Sequence, residues 1–311
     1  MPSIARSSII SGPAKITYNS QVFWSKGDVT LKVINERFDI QTSHFGKVDE
    51  RFGDRTIEVT FEPSGAFTAG IAAVLWPYAS TAIGASLFGA TDVPLTINGR
   101  DGRQIVIKAA AVTKMPSIKA SVSSTIAGAV TFTGLIASNV DPTNAAAYYT
   151  ETAVAYPGDT GFAVSDILTK AFASAWGAAS PWSAFSTQEG WSIDFNLKLS
   201  PQKVDGIGTV DMTFGGLDVS AKCIPVGPIA TDILSKVAGT GGLGVSVATA
   251  NHLNISATGI YLRLYNAALV DSGLTYGAEA KRISETEWIA TRTITTGTAD
   301  PLFAVGTSAP A

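Results

Sequence analysis

Residues 28–40 alternate along the chain, with Val29, Leu31 and Val33 on one face and Thr30 and Lys32 on the other. A period of two is the pattern of a strand with one buried face. The phase slips by one around Asn35-Glu36-Arg37, after which Phe38 and Ile40 carry the apolar face, as at a β-bulge. The segment Thr42–Gly53 is polar and glycine-containing and predicts a long loop or hairpin tip. Alternation resumes at Arg55–Phe61, with Ile57, Val59 and Phe61 inward and Thr56, Glu58 and Thr60 outward.

The second half gives a cleaner signal. Trp191, Ile193, Phe195, Leu197 and Leu199 share one face, opposite Ser192, Asp194, Asn196 and Lys198. Ser200–Thr209 reads as the loop, followed by strand-like Thr209–Phe214 and Leu217–Cys223 with a Gly-Gly bend at 215–216. After Pro63 and after Pro225 comes a short helix candidate, Thr68–Trp76 and Thr231–Ala238, the second with Thr231 as N-cap and Asp232 at its positive end. Strands are expected at Gln104–Ala111, Ala127–Ile136, Ile260–Asn266 and Trp288–Ile294. Lys47-Val48-Asp49 returns as Lys203-Val204-Asp205, half a chain length later and in the same order of elements. The expectation is a duplicated, mainly β chain of α+β pattern, dominated by antiparallel sheet.

The copies are placed at 1–150 and 151–311, with the turn-rich stretch 139–161 as linker. Its Thr152–Tyr156 is a candidate strand reaching toward the neighbouring domain. Ser165–Trp176 reads as a capped helix or as the opening strand of the second copy.

Charged residues make up only 15% of the 311, and hydrophobic residues 46%. Soluble proteins carry about 25% charge, so much of this surface is expected to be covered by other subunits. The net charge of −3 comes without a basic run, which argues against a grip on nucleic-acid backbone. The single cysteine, Cys223, excludes an internal disulfide and reads as a buried thiol. The N-terminal stretch lacks the apolar core of a secretory signal, and no stretch has the length of a membrane-spanning helix, so synthesis in a cytoplasm without export is expected.

Candidate chemistry is sparse. His44 and His252 stand in unrelated contexts and belong to no metal-ligand cluster. No nucleophile elbow, phosphate loop or dinucleotide fingerprint is present; Gly239–Gly244 is glycine-rich but follows a helix. Carboxylates alternate with threonines on strand faces, as on a solvated surface. Six tryptophans suggest carbohydrate platforms, but Trp191 already belongs to an apolar row. No cofactor, metal or catalytic residue is expected.

A long alternating hairpin (Asp28–Phe61, and Trp191–Cys223), then a short helix and more strands, resembles the phage tail tube proteins. The resemblance implies two antiparallel β-barrel or sandwich domains of that type, each with a short helix. It implies a structural virion protein, assembled in the host cytoplasm, with itself and other tail proteins as partners and no membrane. Rings of three chains with pseudo-sixfold symmetry would stack into a tube through which DNA passes without specific binding. Thr56, Glu58, Thr60, Asp194, Asn196 and Lys198 are the candidates for lining the lumen. Lys47, Asp49, Glu50, Arg51, Lys203 and Asp205, on the two polar loops, are the candidates for contacts between rings. The alternative is a carbohydrate-binding or hydrolytic β-sandwich of a tail receptor-binding component; an outer-membrane barrel is a third possibility.

Overall fold

The computed structural model describes residues 14–122, 126–159, 172–178, 180, 182–226, 233–238, 251–276, 281–292, 294–295, 298–299 and 301–310. The chain is mainly β, with 57% of residues in strands and 6% in helices. Antiparallel pairing accounts for every strand contact, and two large sheets form in each half. The expected helix N-cap at Thr231, the glycine run Gly239–Gly244 and residues 165–171 lie outside the described residues; of Ser165–Trp176, Ala173–Trp176 is a strand.

In the first half, a hairpin sheet runs in the order Thr30–Thr42, Gly46–Phe61, Val130–Leu135, Ala109–Lys114. A back sheet runs Tyr149–Ala153, Arg103–Ile107, Leu95–Gly99, Ala14–Tyr18, Gln21–Ser25, Pro63–Ser64. The two pack face to face: the rings of Tyr18 and Phe132 lie 4.9 Å apart and those of Phe23 and Phe61 6.2 Å. The inward rows read from the alternation, Ile57, Val59 and Phe61, are all buried. Gln104–Ala111, expected as one strand, is two: the chain passes from the back sheet to the hairpin sheet at Lys108.

The second half repeats this order. Its hairpin sheet runs Ser186–Val204, Gly208–Val226, Thr286–Ile289, Ala268–Asp271, and its back sheet Phe303–Gly306, Ile260–Leu264, Leu253–Ala257, Ala173–Trp176. Trp176, Trp182, Phe185, Trp191 and Trp288 interlock between them, and the Trp191 indole N–H donates to Ser174 Oγ at 2.8 Å. Edge-to-face packing of this kind adds to the area the rings bury. Among the described residues no sheet closes on itself.

The correspondence between the halves runs in a register that the sequence repeat does not indicate. The hairpins turn at Ser43–Phe45 and Asp205–Ile207, much shorter loops than expected, because Lys47–Arg51 and Ser200–Val204 are paired strand. His44 and Gly206, the turn centres, lie 162 positions apart, as do Pro63 and Pro225. At that offset the bulged residues of the first hairpin, Gly53 and Val48, fall on those of the second, Gly215 and Val210. Gly46 and Gly208, both at positive φ, also match, as do Asp49 with Asp211 and Phe52 with Phe214. The repeated Lys-Val-Asp therefore is not equivalent: one copy follows its turn and the other precedes it. Lys47 corresponds to Thr209, and Lys203 to Gln41.

Thr68 caps the first helix, Ala69–Leu75, by accepting from the Ile71 N–H at 3.1 Å, and Pro77 follows its end. The helix packs against Gln21–Ser25 and against Phe303–Gly306 of the other half. The adjoining Trp76 ring lies 6.4 Å from Phe195, so the buried cores of the two halves are continuous. Thr152–Tyr156 does not reach across: Tyr149–Ala153 pairs with Arg103–Ile107 at the edge of its own back sheet.

Candidate assembly surfaces

The segment that does cross is Ile118–Ala120. It pairs with the outer edge of the second hairpin, Ile118 with Ile193, Lys119 with Ser192 and Ala120 with Trp191. Ile118 and Ala120 are buried while Lys119 is exposed, so this short strand seals one flank of the second core. Because it follows Ala109–Lys114 closely, it joins the two hairpin sheets side by side. Gly190 makes the approach possible. It sits at φ +85, and a methyl group there would run into the Ala120 carbonyl and Ser121.

The tip of the second hairpin forms a further contact between the halves. Phe214, only 1% exposed, lies 5.9 Å from the Tyr78 ring, and its backbone exchanges hydrogen bonds with Gly84 and Ala85. Asp54, on the first hairpin, accepts from the Thr209 N–H at 2.9 Å and from its hydroxyl at 2.5 Å. Lys203 Nζ bonds Glu36 at 2.8 Å and lies 3.5 Å from Asp54. Burial works against charge on Asp54, but the Thr209 and Arg55 donors and the Lys203 ammonium outweigh it and hold its carboxyl below the usual range. Lys203 is thus used inside the chain, and Glu36 in the first place raises its pKa.

The counterparts of these groups on the first hairpin have no such partners. Phe45, Val48 and Phe52 are 77%, 50% and 61% exposed. Their equivalents are Ile207, at 37%, the half-buried Val210, and Phe214. Lys47 bonds Asp39 at 2.6 Å and Glu50 at 3.1 Å within its own hairpin, and these carboxylates raise its pKa. Arg51 lies 3.6 Å from Asp49, and Asp205 sits exposed in the second turn. Of the expected loop residues, the structure therefore engages only Lys203 across the halves.

The edge equivalent to the one that Ile118–Ala120 covers is also open among the described residues. Val29, Thr30 and Leu31 correspond to Trp191, Ser192 and Ile193, and no described strand pairs with their outer side. Beside it a cavity of about 830 Å³ opens between the sheets, lined by Ala14, Val29, Leu31, Ile97 and Ile105 among others.

Thr56, Glu58, Thr60, Asp194, Asn196 and Lys198 all lie on the hairpin-sheet faces turned away from the core, the first three half-exposed and the others exposed. Most charges there are matched: Lys32 stands opposite Glu58, Lys198 bonds Asp218 at 2.7 Å, and Lys222 lies 3.7 Å from Glu287, while Asp194 stands opposite Ser220. Threonine pairs, Thr60 with Thr131 at 3.0 Å and Thr113 with Thr133 at 2.6 Å, fill the rest. Such a face carries little net field. All six tryptophans are buried, so none forms a flat sugar platform at the surface. Among the described residues no group of histidine, cysteine or carboxylate side chains could hold a metal ion, and no helix is long and apolar enough to cross a membrane.

Sequence reasoning found the hairpins and their faces but missed Ile118–Ala120, Asp54 and Thr209. The recoverable signal was the shared spacing of Phe52-Gly53 with Phe214-Gly215, which marks the true register. No protein-family model matches the chain, and no curated protein is significantly similar to it.

Proposed function

We propose that this protein is a structural subunit that assembles head to tail with copies of itself into rings, and that the rings stack as a tail-tube-like conduit. The observation that carries this reading is one position used in two ways. The apolar tip of the second hairpin is bound against the first half, while the equivalent tip of the first hairpin projects Phe45, Val48 and Phe52 into solvent. A surface that is satisfied within the chain in one copy and free in the other is what a repeating, heterologous contact leaves at the end of each subunit. Three chains contribute six equivalent halves, the pseudo-sixfold ring expected from the resemblance to tail tube proteins.

In that ring the charge-matched threonine faces are the candidates for the lumen, where a mobile polyanion such as DNA would meet neither a basic trap nor a strong repulsive field. Lys47, Asp49, Glu50, Arg51 and Asp205 remain the groups assigned to ring stacking. Lys203 contributes there only by holding its tip in place. Negative-stain microscopy of the purified protein tests the reading. Rings or tubes with a central channel are expected, and monodisperse particles of one chain's mass at high protein concentration would overturn it.

A further inference from the structure

The contact that Ile118–Ala120 makes inside the chain has an unfilled counterpart at both of its ends. One is the edge Val29–Leu31, unpaired among the described residues. The other is the strand equivalent to Ile118–Ala120 in the second half, which can be located by register. Phe132 and Trp288 hold the same position beside Val59 and Ala221, and Val130 and Thr286 the same beside Phe61 and Cys223. Moving along from there, Ile118 bridges Ala127, and the Gly128 N–H donates to the Ser117 carbonyl. In the second half Leu274 pairs with Ile283, and the Ser284 N–H donates to the Gly273 carbonyl. Leu274, Thr275 and Tyr276 therefore stand where Ile118, Lys119 and Ala120 stand.

Strand Leu274–Tyr276 pairs on one side with Lys281–Ile283; among the described residues its other side is unpaired. It is the side that, in the first half, adds to the second hairpin. A strand edge left open in this way needs a cover, or it pairs indiscriminately.

We infer that Leu274–Tyr276 of one chain adds, antiparallel, to Val29–Leu31 of the next copy, pairing Leu274 with Leu31, Thr275 with Thr30 and Tyr276 with Val29. The register is that of Ile118–Ala120 on Trp191–Ile193, transferred to its equivalents. The recipient edge also has room for what arrives. Trp191 and Ile193 fill their flank of the second core, whereas the smaller Val29 and Leu31 leave the cavity of about 830 Å³. The incoming sequence is the bulkier one, Leu-Thr-Tyr in place of Ile-Lys-Ala. Small on one side and large on the other, the exchange distinguishes the junction between chains from the one within them and fixes which edge meets which. The inference rests on the ring reading for its occupant, a second copy, and adds the strands and the register.

The test mixes two full-length single variants, Thr30→Cys and Thr275→Cys, under a mild oxidant. Directly opposed antiparallel positions bring Cα atoms within disulfide reach. A disulfide is expected between the two chain types and within neither. The double variant Thr30→Cys/Thr275→Cys should give a ladder on non-reducing gels that ends at the closed ring. Lys119→Cys with Ser192→Cys in one chain is the positive control, since that pair already stands in register. Thr30→Cys mixed with Arg282→Cys, a position on the far side of Leu274–Tyr276, should stay unlinked. Rings visible by microscopy without the Thr30–Thr275 link, or with the Arg282 link instead, would overturn the inference and leave the ring reading intact. Neither rings nor links would overturn both.

Discussion

Truncating Phe52 and Phe214 to alanine, one at a time, separates folding from assembly at a single equivalent position. Phe214 is 1% exposed and packs on Tyr78. Removing a buried phenylalanine ring costs about 3–5 kcal/mol, from lost transfer energy and the cavity left behind. The Phe214→Ala protein should therefore show a lower denaturation midpoint as the isolated chain. Phe52 is 61% exposed, with the Arg37 and Arg55 guanidinium groups 5.9 and 5.8 Å from its ring centre. Its loss should move the chain's own stability by no more than about 1 kcal/mol. In assembly the same ring has most of its surface left to bury. A phenylalanine buries roughly 150–250 Å², and the exposed share at about 25 cal/mol per Å² is worth roughly 2–4 kcal/mol. Each junction should weaken by about 30- to 1,000-fold. Urea denaturation at low protein concentration reads the first quantity and sedimentation velocity across a concentration series reads the second. If Phe52→Ala lowers the midpoint as far as Phe214→Ala, or leaves association untouched, the two tips are not equivalent surfaces and the argument for a repeating contact fails.

Asp54→Asn should cost roughly 1–3 kcal/mol, because it removes the charged acceptor that Thr209 faces. Since folding lowers the pKa of Asp54, its contribution is complete above the unfolded value near about 4 and is lost as pH falls through the lower folded value. Acid titration of the wild type should show this step, and Asp54→Asn should lack it. Gly190→Ala should open the junction with Ile118–Ala120, read as faster amide exchange at Ile118–Ala120 and Trp191–Ile193 while exchange in the first back sheet stays unchanged. Cys223 is buried and its thiol pushed far up by burial, so thiol reagents should label it only on unfolding; rapid labelling of the native protein would contradict its place in the core.

The hairpins were legible because each strand buries one face and shows the other to solvent, which writes a period of two directly into Ile57–Phe61 and Trp191–Leu199. The tips were misread as loops for the same reason in reverse. Lys47–Arg51 and Ser200–Val204 are strands with no buried face, so nothing in their sequence alternates, and backbone pairing with exposed ion pairs such as Lys47–Asp39 and Lys203–Glu36 holds them. Ile118–Ala120 was invisible because a strand of three residues carries no periodicity; its meaning comes from the edge it meets, far away in the sequence.

The most misleading signal was the Lys-Val-Asp repeat, an identity of side chains at positions that differ in backbone. The positions that do correspond keep little more than what the backbone demands: Gly46 and Gly208 at the turn, Gly53 and Gly215 at a bulge, and Phe52 and Phe214 beside it. Elsewhere the halves differ, at one position in a way that packing explains. Ala221 stands where Val59 does in the other half, and the loss of volume is offset across the sheet by Trp288 in the place of Phe132. Volume is conserved by the pair and not by the residue. Two halves related in that way share a strand order without sharing a sequence, and a contact that is internal in one half has an external counterpart in the other.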